Sequence, residues 1–286
     1  MTEAISDYAR PTALPEALAL LAAGPRTVLA GGTDLYPATQ AQRLAGPLLD
    51  ITALEGLSGI ASGPEGLRIG AGTTWTALAE ADLPPALAAL QQAARLVGGR
   101  QIQNAGTLGG NLCNASPAAD GMPPLLVLGA EVELASVRGF RRLPLEQFVL
   151  GVRRTARSPD ELLVAVHVPA AALAGTSSFV KLGARAYLVI SIAMVAVRIV
   201  AERGRVVEAA LAVGACSAVA RRLPLVEAAL LGAPLSEVAA RITEAEVAAA
   251  LSAIADIRGT ADYRTEAACV LLRRAVAQAL PLEELA

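Results

Sequence analysis

The sequence predicts an α+β fold in two parts: small α/β units come first, and a three-stranded antiparallel sheet with a helical bundle follows. Three observations support this prediction. Helical and strand patterns alternate near the N-terminus, as in a small βαβ-like unit. A polar, glycine-rich stretch at 100–120 is too long for an ordinary connection. Beyond it, strand-like runs at 178–213 precede a series of helical patterns.

The first part is predicted to contain short helices and strands. A helix at 12–23 has Thr12 as its candidate N-cap, and a helix at 74–81 has Thr74. An apolar run at 27–30 meets Gly31-Gly32, which indicates a strand that ends in a tight turn. The other predicted elements are helices at 34–44 and 84–96, and strands at 47–51, 67–71, 132–135 and 161–168.

The second part is expected to begin after Pro169, where the composition changes and segment 170–176 is only weakly patterned. We therefore predict a first domain at 1–170 and a C-terminal domain at 171–286. The run Glu-Arg-Gly-Arg at 202–205 indicates a hairpin turn. The predicted elements are strands at 178–182, 192–201 and 206–213, and helices at 223–231, 235–254 and 260–280.

The composition argues against nucleic acid and membrane partners. A net charge of −2 leaves no basic footprint, and 3% aromatic residues provide few stacking platforms. The most apolar stretch, 188–200, is shorter than the roughly 20 residues of a membrane span and contains Arg198, so a buried strand is predicted. The N-terminal residues do not follow a signal-peptide pattern, and a cytoplasmic location is expected.

Metal chemistry on this chain is not expected either. Cys113, Cys216 and Cys269 are far apart, which fits a reducing compartment, and an iron–sulfur cluster normally takes four thiolates. The single histidine, His167, lies in an apolar run, where a strand residue at a surface or edge is favoured over a ligand or catalytic group.

A first glycine loop joins a strand to a predicted helix start. Glycines without Cβ atoms let backbone N–H groups approach phosphate oxygens, and a helix N-terminus would add donors and a positive dipole end. Thr33 can add a hydroxyl. The alternative is a plain strand–turn–helix whose glycines only supply positive φ. The run is Val28-Leu29-Ala30-Gly31-Gly32-Thr33-Asp34-Leu35.

A second loop of small residues offers many donors and little bulk, as a diphosphate and a ribose require. The alternative is a long surface loop rich in turn formers. Neither loop matches a standard signature, since the P-loop pattern is absent and the run at 70–75 lacks the third glycine of a dinucleotide fingerprint. The loop is Gly106-Thr107-Leu108-Gly109-Gly110-Asn111, continued by 112–119 and Asp120.

Together the two loops resemble the FAD loops of the molybdenum hydroxylase flavoproteins, a family that includes the flavin subunits of bacterial xanthine and carbon monoxide dehydrogenases. Segments 30–35, 107–111 and 114–117 carry the resemblance, with Asp120 and the run 181–185. It covers nearly the whole chain. It implies a PCMH-type FAD-binding domain followed by a C-terminal domain like that of the carbon monoxide dehydrogenase flavoprotein.

The resemblance also implies a set of FAD-binding residues, with no catalytic residue and no metal ligand. The first loop would wrap the diphosphate, and the second would close on it from the other side. Asp120 would bond the flavin or ribitol region, with Leu163 and Lys181 flanking the isoalloxazine. Val97 is placed at the cofactor, although a helix core residue is equally compatible. The set is Val28, Leu29, Ala30, Gly31, Gly32, Thr33, Asp34, Leu35, Val97, Gly106, Thr107, Leu108, Gly109, Gly110, Asn111, Asp120, Leu163 and Lys181.

The implied activity is an electron relay in which the cofactor supplies the difficult chemistry. In the family the [2Fe-2S] clusters and molybdopterin lie outside the flavin module, so we expect separate iron–sulfur and molybdopterin-binding subunits in a heterotrimer. Electrons would leave FAD for NAD, a quinone, oxygen or another carrier. Lys181, near the pyrimidine edge, is hypothesised to stabilise negative charge on the reduced flavin.

The chain departs from many relatives after Arg185, where Ala186 and Tyr187 replace a second basic residue. Tyr187 could lie over the flavin, but a packing tyrosine is the favoured interpretation. Two other functions stay open: a stand-alone FAD oxidase or dehydrogenase, and a flavin-free scaffold subunit. The small C-terminal part weighs against the first, and the intact glycines with Asp120 weigh against the second.

Overall fold

A small parallel sheet opens the chain in the computed structural model, which describes residues 7–40, 44 and 46–280. Its strand order is β1-β3-β2, and both pairings are parallel. The helix of this unit begins beside a proline, whose fixed φ suits a first helical turn, and it buries Ala17, Leu18 and Leu21. Thr12 does not cap it. The elements are β1 (Tyr8–Ala9), α1 (Leu14–Ala23), β2 (Thr27–Leu29) and β3 (Leu48–Asp50).

The predicted helix at 34–44 is wrong over its described residues. Residues 33–38 form a turn, closed by bonds from the Tyr36 N–H to the Gly32 carbonyl (3.0 Å) and from the Ala38 N–H to the Asp34 carbonyl (3.2 Å). Pro37 explains the failure, because proline lacks the N–H that a helix needs and disfavours α geometry in the preceding residue. Residues 41–43 lie outside the described residues.

A five-stranded antiparallel sheet follows, in the order β4-β5-β10-β6-β7. His167 lies on the central strand rather than at an edge, and its Nε2 is 2.7 Å from Glu133 Oε2. Thr74 caps its helix as predicted, accepting a bond from the Ala77 N–H. The elements are β4 (Ile60–Gly63), β5 (Gly66–Gly70), α2 (Trp75–Glu80), α3 (Ala88–Leu96), α4 (Arg100–Ala105), α5 (Leu108–Asn114), α6 (Met122–Val127), β6 (Glu131–Ser136), β7 (Gly139–Pro144), α7 (Leu145–Phe148), β8 (Val149–Gly151), β9 (Arg154–Thr155) and β10 (Leu162–Pro169).

The C-terminal half is built on a second antiparallel sheet, in the order β11-β12-β13-β14. Its three long strands confirm the prediction, and the two-residue β14 extends the edge. The predicted hairpin is also present, with positive φ at Arg203 and Gly204, as a type I′ turn requires. The elements are β11 (Thr176–Leu182), β12 (Ala193–Glu202), β13 (Arg205–Gly214), β14 (Arg221–Arg222), α8 (Pro224–Leu230), α9 (Glu244–Ala250) and α10 (Ala261–Ala279).

Strand β12 is buried on both faces, which explains the apolar run from Ala193 onward. The predicted buried strand at 188–200 is wrong over its first residues, because Leu188 and Ile190 precede the strand and are exposed. Successive strand residues point to opposite faces. Val195 and Val197 pack toward α8–α10, whereas Met194 and Ala196 pack into the core of the first half. Among the described helices, none has the length and apolarity to cross a bilayer.

The predicted helix at 235–254 is wrong. Only Leu235–Glu237, in a 3-10 turn, and Glu244–Ala250 are helical. Thr243 causes the break, because its hydroxyl accepts the Glu246 N–H and starts a new helix.

Thr260 caps the longest helix, α10, by accepting the Tyr263 N–H at 3.2 Å. We expect Thr260→Ala to lower the free energy of unfolding by about 1 kcal/mol, since it removes the acceptor of an end N–H group. Urea denaturation measures the change. Thr260→Ser keeps the hydroxyl and is the control; equal losses in both variants would contradict the capping role.

Candidate functional site

The first glycine loop ends β2 and presents free backbone donors. Gly32 has φ +70°, so the chain turns sharply there, and residues 30–33 are half-buried. The N–H groups of residues 31–35 donate to no acceptor within the described part of the chain. Backbone amides at consecutive positions make a concave cluster of donors that suits an anion. Because the predicted helix is absent, the loop offers an anion these backbone donors and no helix dipole.

The second loop is mostly helical, which corrects its interpretation as a loop with many free donors. Thr107 caps α5 by accepting the Gly110 N–H at 3.1 Å. The N–H groups of Leu108 and Gly109 donate to the carbonyls of Thr73 (3.0 Å) and Ala71 (2.8 Å). This segment therefore uses its donors to fasten itself to the end of β5.

The two loops meet backbone to backbone. A Cβ atom on Gly31 would lie 1.7 Å from the Ala105 carbonyl oxygen, so only glycine fits there. The Asn114 side-chain amide also donates to Asp34 Oδ1 at 2.7 Å. The structure thus brings together the two segments that sequence analysis singled out, with the second behind the first.

Gly109 allows a similarly close contact on the far side of the second loop. A Cβ atom there would lie 2.7 Å from the Ala71 Cβ and 2.8 Å from the Ala71 carbonyl oxygen. Helix α5 is therefore pressed against β5, and this support keeps the second loop in place behind the first.

Asp120 and Lys181 form a buried ion pair across the two halves of the chain. Lys181 Nζ donates to both carboxylate oxygens, at 2.9 and 3.1 Å, and Ser191 Oγ donates to Oδ1 at 3.3 Å. Burial raises the pKa of Asp120, while Lys181 and Ser191 oppose that rise. Two residues predicted to act on a flavin are thus direct partners, and Ser191, which carried no recognisable sequence pattern, completes the group.

Helix α6, which follows Asp120, is held at its other end by two arginines of the C-terminal sheet. Arg198 Nε donates to the Val127 carbonyl at 3.2 Å, and Arg222 Nη1 donates to the Leu126 carbonyl at 3.0 Å. Cations stabilise the last carbonyls of a helix, which point away from its N-terminus. The C-terminal half therefore determines where Asp120 lies.

The remaining predicted positions lie mainly in the core. Leu163 is buried in β10, and Val97 follows α3 and packs against the same core. Val28 and Ala30 are partly buried, and Leu29 is buried, at the end of the parallel sheet. Thr107 and Leu108 are buried as well.

A cavity of about 350 Å³ opens beside Lys181, lined by Leu96, 181–183 and 185–189. Tyr187 lies at its mouth with 73% of its surface exposed, so the interpretation of a packing tyrosine is wrong. The Arg185 guanidinium bonds the Leu188 carbonyl and closes the segment on itself. Residues 183–192 connect β11 to β12 and lie outside the sheet. Their apolar sequence alone could not show this.

Two known protein families match different parts of the chain. Residues 3–171 match the FAD binding domain in molybdopterin dehydrogenase, and residues 178–279 match the CO dehydrogenase flavoprotein C-terminal domain.

Similar proteins and structures span different shares of the chain. The carbon monoxide dehydrogenase medium chain of Afipia carboxidovorans is 34% identical over 279 residues, 96% of each chain. The xanthine dehydrogenase FAD-binding subunit of Escherichia coli O157:H7 is 39% identical over 171 residues, which span only 58% of that relative. A structure of reconstituted CO dehydrogenase from Oligotropha carboxidovorans matches with TM-score 0.87 and 32% identity, covering 98% of this chain and 99% of that one.

Gly31→Ala tests the contact between the loops. The added methyl group would overlap the Ala105 carbonyl, so we expect the free energy of unfolding to fall by about 3 kcal/mol or more. Chemical denaturation measures it. Gly24→Ala is the matched control, because its Cβ would have no neighbour within 4 Å. Similar stabilities for the two variants would refute the contact.

Lys181→Met tests the ion pair through its pH dependence. Without Lys181 the pKa of Asp120 should rise further, because burial is no longer opposed by a cation. A carboxyl group with a raised folded-state pKa stabilises the fold below its unfolded pKa, and this stability is lost as pH rises through the folded pKa. We expect a deficit of about 3–5 kcal/mol near neutral pH that shrinks in acid.

Thermal unfolding across pH 4 to 8 would measure that trend. The double variant Asp120→Asn/Lys181→Met lacks the titrating group and should show no such trend. If Lys181→Met alone followed the wild-type pH profile of stability, the ion pair between Asp120 and Lys181 would be excluded.

Proposed function

We propose, because this chain belongs to the family of FAD-binding domains in molybdopterin dehydrogenases, that it is the flavin subunit of a molybdenum hydroxylase complex and relays electrons between its partners and an external acceptor. The observation that carries the proposal is the row of free N–H groups at 31–35, which is backed at Gly31 by the Ala105 carbonyl at the end of α4 and by the start of the second loop at Gly106.

The residues present suit FAD. A diphosphate needs several donors within a few ångströms and no bulk between them, and the first loop offers both. In this proposal the amides of 31–35 and the Thr33 hydroxyl bind the diphosphate, while 106–111 supports them from behind. Val28, Leu29 and Ala30 would shield that end of the cofactor from water.

The pair of Asp120 and Lys181 would lie at the flavin end, beside the cavity at 181–189. Lys181 is the single lysine of the chain, and it links the C-terminal sheet to the first half. Its positive charge would stabilise electron density on the cofactor, and Asp120 would moderate that effect. Leu163 and Val97 would supply apolar contacts. Bound FAD itself supplies the redox chemistry, since a flavin exchanges electrons singly or in pairs.

The partners in this proposal are separate iron–sulfur and molybdopterin-binding subunits, in a heterotrimeric complex of the cytoplasm. The names of two relatives support this proposal, since one is called a FAD-binding subunit and the other a medium chain, and both terms describe one chain of a larger complex. The [2Fe-2S] clusters would deliver electrons to FAD, and NAD or another carrier would receive them. We also propose that the domains divide near residue 170.

Purification with co-expressed neighbouring subunits tests the function. We expect a yellow complex with flavin absorbance, and iron and molybdenum in the same fraction. A colourless chain would point to a scaffold subunit, whereas a yellow chain without metals that oxidises a substrate would point to a stand-alone oxidase.

A variant at the first loop makes this test specific. Gly32→Val places a branched side chain where φ is +70° and beside the Tyr36 ring, so FAD should be lost. Gly24→Val, in open space, is the control and should stay yellow. Retention of FAD by Gly32→Val would overturn the assignment of the loop.

A further inference from the structure

Arg264 is a buried cation in the first turn of α10, with 1% of its surface exposed. Its Nη1 donates to the carbonyls of Ile192 (2.6 Å) and Ala215 (2.7 Å), and its Nη2 donates to Asp256. One guanidinium thus joins the residue before β12, the residue after β13 and a turn before its own helix.

Both carbonyls belong to segments that hold the Asp120 region. Ile192 follows Ser191, whose hydroxyl bonds Asp120. The Ala215 N–H donates to the Pro117 carbonyl at 2.9 Å, in the stretch that leads to Asp120. Two anchors of segment 117–120 therefore meet at a single side chain.

The backbone conformation of Ala215 is independent evidence that the surrounding contacts hold this segment in place. Its φ is +63°, a left-handed conformation that costs free energy for any residue with a Cβ atom. Such a conformation persists only where the surroundings enforce it. Here Pro117 fixes its N–H and Arg264 fixes its carbonyl.

The guanidinium is not fully satisfied by these contacts. Within the described residues, Arg264 Nε is the one buried side-chain nitrogen or oxygen without a hydrogen-bond partner. An unsatisfied buried donor is destabilising, so stability alone does not account for an arginine here. Only its planar fork reaches two carbonyls and a carboxylate at once, which an ammonium cannot do with the same geometry.

We propose that Arg264 is a positioning residue for the FAD site, acting through Ile192–Ser191 and Ala215–Pro117 on Asp120. The inference rests on the proposed function, because the Asp120–Lys181 pair that it positions would lie at the flavin end of bound FAD. Arg264 does not touch the cofactor in this proposal; it orients the carboxylate and the lysine that do.

The test measures FAD affinity and the visible circular dichroism of bound FAD in the full chain, using Arg264→Lys and Arg264→Met. Arg273→Met is the matched control: Arg273 lies on the same helix and donates to the Ile242 carbonyl, away from this network. We expect Arg264→Lys to bind FAD about tenfold more weakly with an altered dichroism band, as for the loss of one charge-assisted hydrogen bond. Arg264→Met should bind still more weakly.

Arg273→Met should lose stability but keep the wild-type affinity for FAD and the wild-type spectrum.

The double variant Arg264→Lys/Ser191→Ala should lose less FAD affinity than the sum of the two single variants, because both residues act on Asp120. Additive losses, or a wild-type affinity and spectrum in Arg264→Lys, would overturn the inference while the flavin assignment stands. If the Arg264 variants do not fold, Asp256→Ala removes the third partner of Arg264 on a half-exposed turn, and the same expectations apply to it. Arg258→Ala, which removes the other side chain bonded to Asp256, is its control and should keep the wild-type affinity and spectrum. A wild-type chain that binds no FAD refutes the proposed function and this inference together.

Discussion

The contact between the Gly31 backbone and the Ala105 carbonyl is the constraint on which the candidate site depends. It leaves no room for a Cβ atom, and it presses the turn after β2 against the end of α4. With the second loop as a support, the amides of 31–35 keep their orientation although no described residue accepts their hydrogen bonds. A rigid row of donors binds an anion without first having to become ordered, which is the advantage of preorganisation.

The other end of the site is shaped by the C-terminal sheet. Lys181 and Ser191 hold Asp120, and Arg198 and Arg222 hold the far end of α6. The first half contributes the donors, and the second half contributes the single lysine and the arginines that fix the carboxylate. This division explains why β12 is buried on both faces: one face forms the core with α8–α10, and the other joins the two halves.

Local sequence patterns predicted those elements whose causes are local. The Thr74 cap, the hairpin at Arg203-Gly204 and the three long C-terminal strands follow from side chains and turns a few residues apart. The predictions failed where a single residue overruled the structure that the surrounding pattern indicated. Pro37 replaced a helix by a turn, Thr243 divided another, and Thr107 made a helix of a glycine-rich stretch that looked irregular. Tyr187 looked like a core residue but lies exposed beside the cavity.

By itself the sequence determined that the chain is an α+β protein with two small-residue loops, and the pattern of those loops indicated a flavoprotein. Composition and periodicity carry such information because burial, caps and turns act over a few residues. Tertiary structure alone decided that the first loop presents the donors while the second supports it, that Asp120 is paired with Lys181, and that Arg264 lies behind them. These facts depend on contacts between residues 49 to 98 positions apart, as for Arg264 with Ala215 and for Ala215 with Pro117. Packing sets the geometry of such contacts, and no local pattern encodes it.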